Sequence, residues 1–295
     1  MLTLEYLAEL AERHRADLQC EVAEFAIGQT KFDFNKTPYL MGVVNLSPDS
    51  WYRESVCLTA DKAIERGLLL RAQGASIVDI GAESTLSNAQ LIDVGEQQSR
   101  LLPVVRELAK AGVIVSVETY EPEVARRCLD AGAKVLNITG NAHIEELARM
   151  AGDHDAAMIL CHVQGENVRQ VGDYDFSKEA AGMLLESFER LVERAMSSGN
   201  RKLLIDPGQG FYYRNLGDSA TRVRHQMEVF LNTFRLRRLG HPVCHALPHA
   251  FEYFGDEVRC AEPFFAVLAA LGKTNLFRTH EVPRVRAVLE TLGAY

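Results

Sequence analysis

The sequence predicts an α/β protein, a (β/α)8 TIM barrel with an N-terminal helix and hairpin extension. Three observations point there. Short apolar runs alternate with longer amphipathic segments, the alternation occurs eight times, and polar residues collect at one end of the runs. A doubly wound open sheet shares the alternation, and the count favours the closed ring. At 295 residues the chain is long enough for one such barrel, and 47% hydrophobic with 24% charged residues is ordinary globular usage that argues against disorder.

The elements follow in order. Residues 3–19 place Leu4, Leu7, Ala8, Leu10 and Ala11 at helical spacing, which predicts an amphipathic helix. Residues 20–37 hold short alternating stretches around Gly28 that fit a small hairpin, so residues 1–37 form the extension and 38–295 the barrel. After Pro38, apolar runs at 40–45, 76–80, 113–118, 134–138, 156–162, 202–206, 242–246 and 274–278 read as strands. Covered by helices, such strands are buried on both faces, which explains their nearly continuous apolar character. Helices are expected near 59–74, 92–111, 122–131, 143–151, 177–199, 219–239, 259–272 and 281–292. Gly74, Gly112, Gly132, Gly199, Gly240 and Gly272 stand just before runs, where helix C-caps belong.

Composition narrows the function classes. Net charge is −8 with both signs mixed along the chain, which disfavours nucleic-acid binding while leaving room for a locally positive site for anions. The N-terminal stretch carries charges throughout and lacks a small-residue cleavage site, so no signal peptide is expected. No run approaches the roughly 18 apolar residues that span a bilayer. The six cysteines form no CxxC pair and suit reduced thiols, so a cytoplasmic protein is expected.

In a barrel of this kind, side chains at strand C-termini face the active site. The runs end in, or lead into, Asn45, Glu118, Asn137, His162, Asp206, His245, Arg278 and His280, with Glu83, Ser84 and Thr85 after the second. Asp79 lies inside its strand and reads as structural. A lone polar residue at a strand end often only caps the next helix. Polar residues at every strand end together suit a flat polar heterocycle.

The segments MGVVNLSPDSW (41–51), IVDIGAEST (77–85), VSVETYEPEVA (115–125), AGAKVLNITG (131–140), LLIDPGQGF (203–211) and LFRTHEV (276–282) resemble dihydropteroate synthase, in that family's order and spacing. The resemblance covers about residues 38 to 292. It implies a transferase of folate biosynthesis that joins dihydropterin pyrophosphate to p-aminobenzoate and releases pyrophosphate. It implies Mg²⁺, held with the pyrophosphate by Asn45, and Thr85 beside the phosphates. Glu118 stands for an aspartate facing the pterin, and Asn137 and Asp206 bond its amino-pyrimidine edge. Arg278 flanks the ring, while His280 and the N-terminus of the last helix hold phosphate oxygens. Asn45, Asp206, Arg278 and His280 are thus the catalytic candidates. Thr85, Glu118, Asn137, His162, Phe211, His245 and His249 are the substrate-binding ones. The resemblance also implies a homodimer through the last helices, for which Phe264, Phe265, Leu268 and Leu271 offer apolar side chains that equally suit barrel packing.

The departures from the family carry information too. After the seventh strand the family has a Ser-Arg-Lys segment, whereas this chain reads CHALPHAF (244–251). Leu86-Ser87 replaces an Arg-Pro, Tyr213 replaces a lysine, and Trp51, Tyr52 and Arg53 replace a glycine-rich stretch. Each lost charge-assisted hydrogen bond forfeits ~1.5–3 kcal/mol, so altered or lost synthase activity is the expectation. Two alternatives stay open: a non-catalytic pterin-binding partner subunit, and a folate-dependent methyltransferase, which needs a corrinoid partner. His245 and His249 stand in i, i+4 relation near Cys244 and Glu252, a zinc or iron spacing if the segment is helical, which Pro248 opposes. As neutral or switchable donors, they are also suited to replace the lost lysine.

Overall fold

The computed structural model describes residues 2–47, 55–83, 92–175, 179–209 and 213–295. Its centre is a ring of eight parallel strands: β3 (Tyr39–Asn45), β4 (Ile77–Gly81), β5 (Val115–Glu118), β6 (Val135–Ile138), β7 (Ala157–Cys161), β8 (Leu203–Asp206), β9 (Cys244–Ala246) and β10 (Leu276–Thr279). β10 pairs with both β3 and β9, and a parallel bridge from Ile205 to Val243 closes β8 onto β9. The expected (β/α)8 barrel therefore forms, with the open-sheet alternative excluded by that bridge. Around it run α2 (Ala60–Ala72), α3 (Val94–Lys110), α4 (Pro122–Asp130), α5 (Ile144–Asp153), α6 (Ala180–Ser197), α7 (Ser219–Leu236), α9 (Ala261–Leu271) and α10 (Val282–Gly293). None of the described helices is long and apolar enough to cross a membrane.

Side chains two apart in a strand share a face, and this alternation sorts the barrel into layers. Met41, Ile77, Val135, Ile159, Leu204, Cys244 and Leu276 fill the interior at the strand starts as one apolar cluster. Two residues further along the same face stand Val43, Asp79, Asn137, Cys161, Asp206, Ala246 and Arg278, so the interior turns polar toward the strand C-termini. The intervening residues, Val78, Ile80, Val117 and Phe277 among them, pack outward against the helices.

The extension seals the apolar end. A helix, α1 (Leu4–Arg13), starts at Thr3, whose hydroxyl accepts from the Tyr6 amide. The strands β1 (Phe25–Ile27) and β2 (Thr30–Phe32) pair antiparallel around Gly28, whose φ of +58° suits a residue without a Cβ. Ile27, Phe32 and Phe34 pack onto Met41, Ile77 and Leu276 under the barrel floor. Asn275 fixes them there by donating to the Phe34 carbonyl at 2.7 Å.

Two details differ from the sequence expectation. The loop after β9 carries an unanticipated single-turn helix, α8 (Phe251–Phe254), which follows Ala250 in a left-handed conformation. Gly272 does not take the left-handed cap position, which falls to Lys273 at φ +62°. Its need for glycine is steric, because a Cβ there would collide with the Phe230 carbonyl of α7.

Candidate active site at the C-terminal mouth of the barrel

The polar end of the barrel is organised around Asp79, which is completely buried. Its Oδ1 accepts the Ser116 hydroxyl at 2.6 Å; its Oδ2 accepts Asn137 Nδ2 at 3.2 Å and Arg278 Nε at 2.7 Å. Arg278 then reaches Glu118 through Nη2. Register places Glu118 opposite Asn137 and Asp206 opposite Cys161. Asp206 is fixed by the Gly208 amide, which donates to its Oδ1 at 2.8 Å. Glu118, Asn137, Asp206 and Arg278 therefore meet at one mouth, on four different strands.

The electrostatics there are lopsided. The Arg278 guanidinium sits among Asp79, Glu118 and Asp206 in a buried setting, while Glu83 nearby is paired with Arg169. Burial pushes Glu118 up to about 7, with Arg278 opposing and Asp79, Asp206 and Glu83 adding to the rise. Burial likewise raises Asp206 to about 6, against the pull of the Gly208 amide and Arg278. Arg278 moves upward despite its burial because Glu118 and Asp79 hold its charge. Cys161 and Cys244, also inside the ring, are raised well above the ordinary thiol range by burial, so neither is poised as a nucleophile.

A second cluster adjoins the first. Asn45, at the end of β3, donates through Nδ2 to Ser55 Oγ at 2.6 Å and stands 3.5 Å from His280 Nε2. On its other nitrogen, His280 Nδ1 lies 2.7 Å from Glu262 Oε1. His249 Nε2 is 3.2 Å from the same oxygen. The second oxygen of Glu262 accepts the Thr279 hydroxyl and the backbone amides of His280 at 2.9 Å and Glu281 at 3.1 Å. Two backbone amides just ahead of α10, whose N-terminus is expected to hold phosphate oxygens, are thus engaged by the protein's own carboxylate.

Two candidates lie elsewhere. His245 faces away from Cys244 and Ala246, as strand alternation requires, and is buried in the helix layer. Its Nε2 meets Thr233 Oγ1 at 2.7 Å and its ring packs on Phe230. His162, next to inward-facing Cys161, points out to α6, with Nδ1 2.8 Å from Ser187 Oγ. Substrate contact by His245 or His162 at the mouth is therefore corrected to packing and hydrogen bonding behind the strands. The segment 244–251 is a strand followed by a loop, so His245 and His249 share no helix face, and the spacing argument for a metal between them falls. Thr85 and Phe211 lie outside the described residues, as do Trp51, Tyr52, Arg53, Leu86 and Ser87. Sequence reasoning passed over Glu262 altogether and read Asp79 as merely structural. Burial within a strand marked Asp79, whereas no motif marked Glu262.

Residues 41–246 match the family model described as pterin binding enzyme. The chain is 31% identical to the dihydropteroate synthase of Synechocystis sp., over 91% of this chain and 93% of that protein. The chain belongs to the dihydropteroate synthase family of pterin-binding enzymes. A second relative, the dihydropteroate synthase of Streptococcus pyogenes, is 29% identical over 89% of this chain and 97% of its own. Among solved structures, the dihydropteroate synthase of Xanthomonas albilineans with 4-aminobenzoic acid superposes with a TM-score of 0.77, at 26% identity and covering 92% of this chain and 97% of that one. Membership in the dihydropteroate synthase family agrees with the resemblance carried by the strand-end motifs.

Proposed function

We propose that the protein is a dihydropteroate-synthase-type transferase that binds a dihydropterin pyrophosphate at the barrel mouth and joins it to p-aminobenzoate. The observation that carries this reading is the network in which Asp79 holds both Asn137 and Arg278 while Asp206 stands beside them. An ionised Asp206 accepts two parallel N–H bonds from a 2-aminopyrimidinone edge. Asn137, with its Nδ2 committed to Asp79, offers its carbonyl oxygen to a ring N–H. Arg278, pinned at Nε and Nη2, presents a flat cation to flank the ring. Glu118, raised to about 7, exchanges a proton near neutrality and is suited to follow charge changes on the bound ring.

Displacement of pyrophosphate needs alignment and leaving-group stabilisation more than covalent work. Asn45 and His280 Nε2 are the groups placed to meet the leaving group. Mg²⁺ is the implied cofactor. A hard cation that keeps several waters and takes phosphate oxygens needs few protein ligands, and the amide oxygen type at Asn45 fits that demand. Bound there with the pyrophosphate, it would neutralise charge on the departing oxygens. The protein is proposed to work as a homodimer through α9, where Phe264 and Leu271 are exposed while Phe265 and Leu268 belong to the barrel packing.

The test is turnover of dihydropterin pyrophosphate with p-aminobenzoate, followed by mass detection of dihydropteroate, together with rescue of a synthase-deficient strain. Pterin binding without product and without rescue would replace this reading by the non-catalytic one. That second reading draws on the segment after β9, CHALPHAF, which holds a buried Leu247 and a Glu262-bound His249 and no lysine or arginine where the resemblance implies Ser-Arg-Lys.

A further inference from the structure

Glu262 is fully buried, yet the described residues give it no lysine or arginine partner. Burying an unpaired carboxylate is costly, so some positive charge is expected beside it. Among the described residues, two imidazoles supply its titratable contacts, and both aim a ring nitrogen at one oxygen, Oε1. Oε2 meanwhile is saturated by Thr279 and by the amides of His280 and Glu281, which locks the carboxylate in this orientation. His249, Glu262 and His280 each offer one ligand atom, and all three atoms lie within 4.8 Å of one another.

We propose that His249, Glu262 and His280 bind a first-row divalent transition metal ion, with zinc and iron(II) as the candidates by donor type. Two imidazole nitrogens and one carboxylate oxygen form a known three-ligand set for such ions, with further positions left to water or substrate. Tetrahedral ligation at ordinary bond lengths separates donors by about 3.3 Å. The His249–Glu262 contact, at 3.2 Å, already has that spacing, and His280 at 2.7 Å needs only a small outward shift. The three residues come from the loop after β9, the start of α9 and the segment following β10, so the site ties together the last two βα units of the barrel.

The consequence for the neighbouring mouth follows from imidazole chemistry. In the metal-free protein, Nδ1–H of a neutral His280 donates to Glu262, and Nε2 is left as an acceptor. Ligation through Nδ1 places the proton on Nε2 instead, turning a donor toward the space beside Asn45. The proposal itself stands without the pterin reading, because metal binding is measured on the protein with no pterin present.

The experiment uses the full chain stripped with a chelator and titrated with Co²⁺, reading visible ligand-field bands and bound metal per chain. One equivalent with bands of low coordination number, displaced by Zn²⁺ and indifferent to excess Mg²⁺, is expected. His249→Ala removes a loop residue rather than a core one and is expected to lose the bound equivalent while keeping the circular dichroism spectrum. Glu262→Gln keeps the side-chain volume and is expected to lose the bands as well. Absence of a bound equivalent in the unsubstituted chain overturns the site, as does binding that survives His249→Ala unchanged. Metal content after purification with zinc and iron(II) both supplied separates the two candidates.

Discussion

Arg278 Nε donates to Asp79 Oδ2 at 2.7 Å, so the cation that faces the mouth is anchored by a carboxylate buried beneath it. The same carboxylate oxygens also hold Ser116 and Asn137, so strands β4, β5, β6 and β10 share one acceptor. Asp79→Ala strands all three donors and leaves Arg278 with Glu118 as its remaining ion-pair partner at the mouth. A loss of about 3–5 kcal/mol in unfolding free energy is expected, measured by denaturant titration. Pterin affinity should fall with it, because Asp79 holds Asn137 and Arg278 in place. Unfolding within 1 kcal/mol of the unsubstituted chain would refute the anchoring role; that threshold is about the size of one ordinary hydrogen bond.

Asp206 is raised to about 6 from an ordinary 3.8, and Glu118 to about 7 from 4.5, chiefly by burial. Each binds its proton more tightly folded than unfolded. Their contribution to stability is full at low pH and is lost as pH rises from 3.8 to about 6 and from 4.5 to about 7. Ligand binding runs the other way, because the pterin edge needs the ionised Asp206 to accept two N–H bonds. Calorimetric titration with a reduced pterin should show affinity climbing as pH passes through about 6. Asp206→Asn should flatten that climb and weaken binding roughly ten- to a hundredfold. A pH profile shared by both proteins would assign the titration to another group.

Strand parity explains how much of this was legible beforehand. The eight-fold alternation and the polar strand ends placed Glu118, Asn137, Asp206 and Arg278 together, since those residues stand at inward positions. The facing of His162 and His245 was equally available, because each neighbours an inward cysteine. Their imidazoles attracted a functional reading that parity opposes. Glu262 had no local signal: its partner His280 lies 18 residues away, and only the packing of α9 beside β10 brings them into contact. The same packing ties up the His280 and Glu281 amides just ahead of α10. The short helix α8 carries no periodic pattern and was invisible for that reason.

His245 should matter to stability and not to pterin binding. Thr233 Oγ1 donates to the Val229 carbonyl, so its other contact receives Nε2–H from His245 and fixes the neutral tautomer. Burial lowers this imidazole from 6.5 to about 3. The unfolded chain therefore takes up the proton first, and the stabilisation present above pH 6.5 is lost as pH falls toward 3. His245→Ala should cost about 2–4 kcal/mol at neutral pH and give a shallower acid loss, followed by denaturant titration at several pH values. A change in pterin affinity with unchanged stability would place His245 back at the mouth.

Two glycines in the helical layer should respond to alanine with opposite signs. At Gly272 an added Cβ meets the Phe230 carbonyl oxygen and also crowds Thr233, both on α7. Backbone cannot swing aside as a flexible side chain does, so α7 and α9 must separate, at a cost of about 1–3 kcal/mol. At Gly182, inside α6, nothing stands within 4 Å of the added carbon. There alanine only restricts the unfolded chain and favours the helix, a gain of about 0.5–1 kcal/mol. Thermal unfolding of Gly272→Ala and Gly182→Ala should therefore bracket the unsubstituted protein. Equal midpoints for the two variants would mean that α7 and α9 do not touch through Gly272 in solution, and the steric reason assigned to that glycine would be wrong.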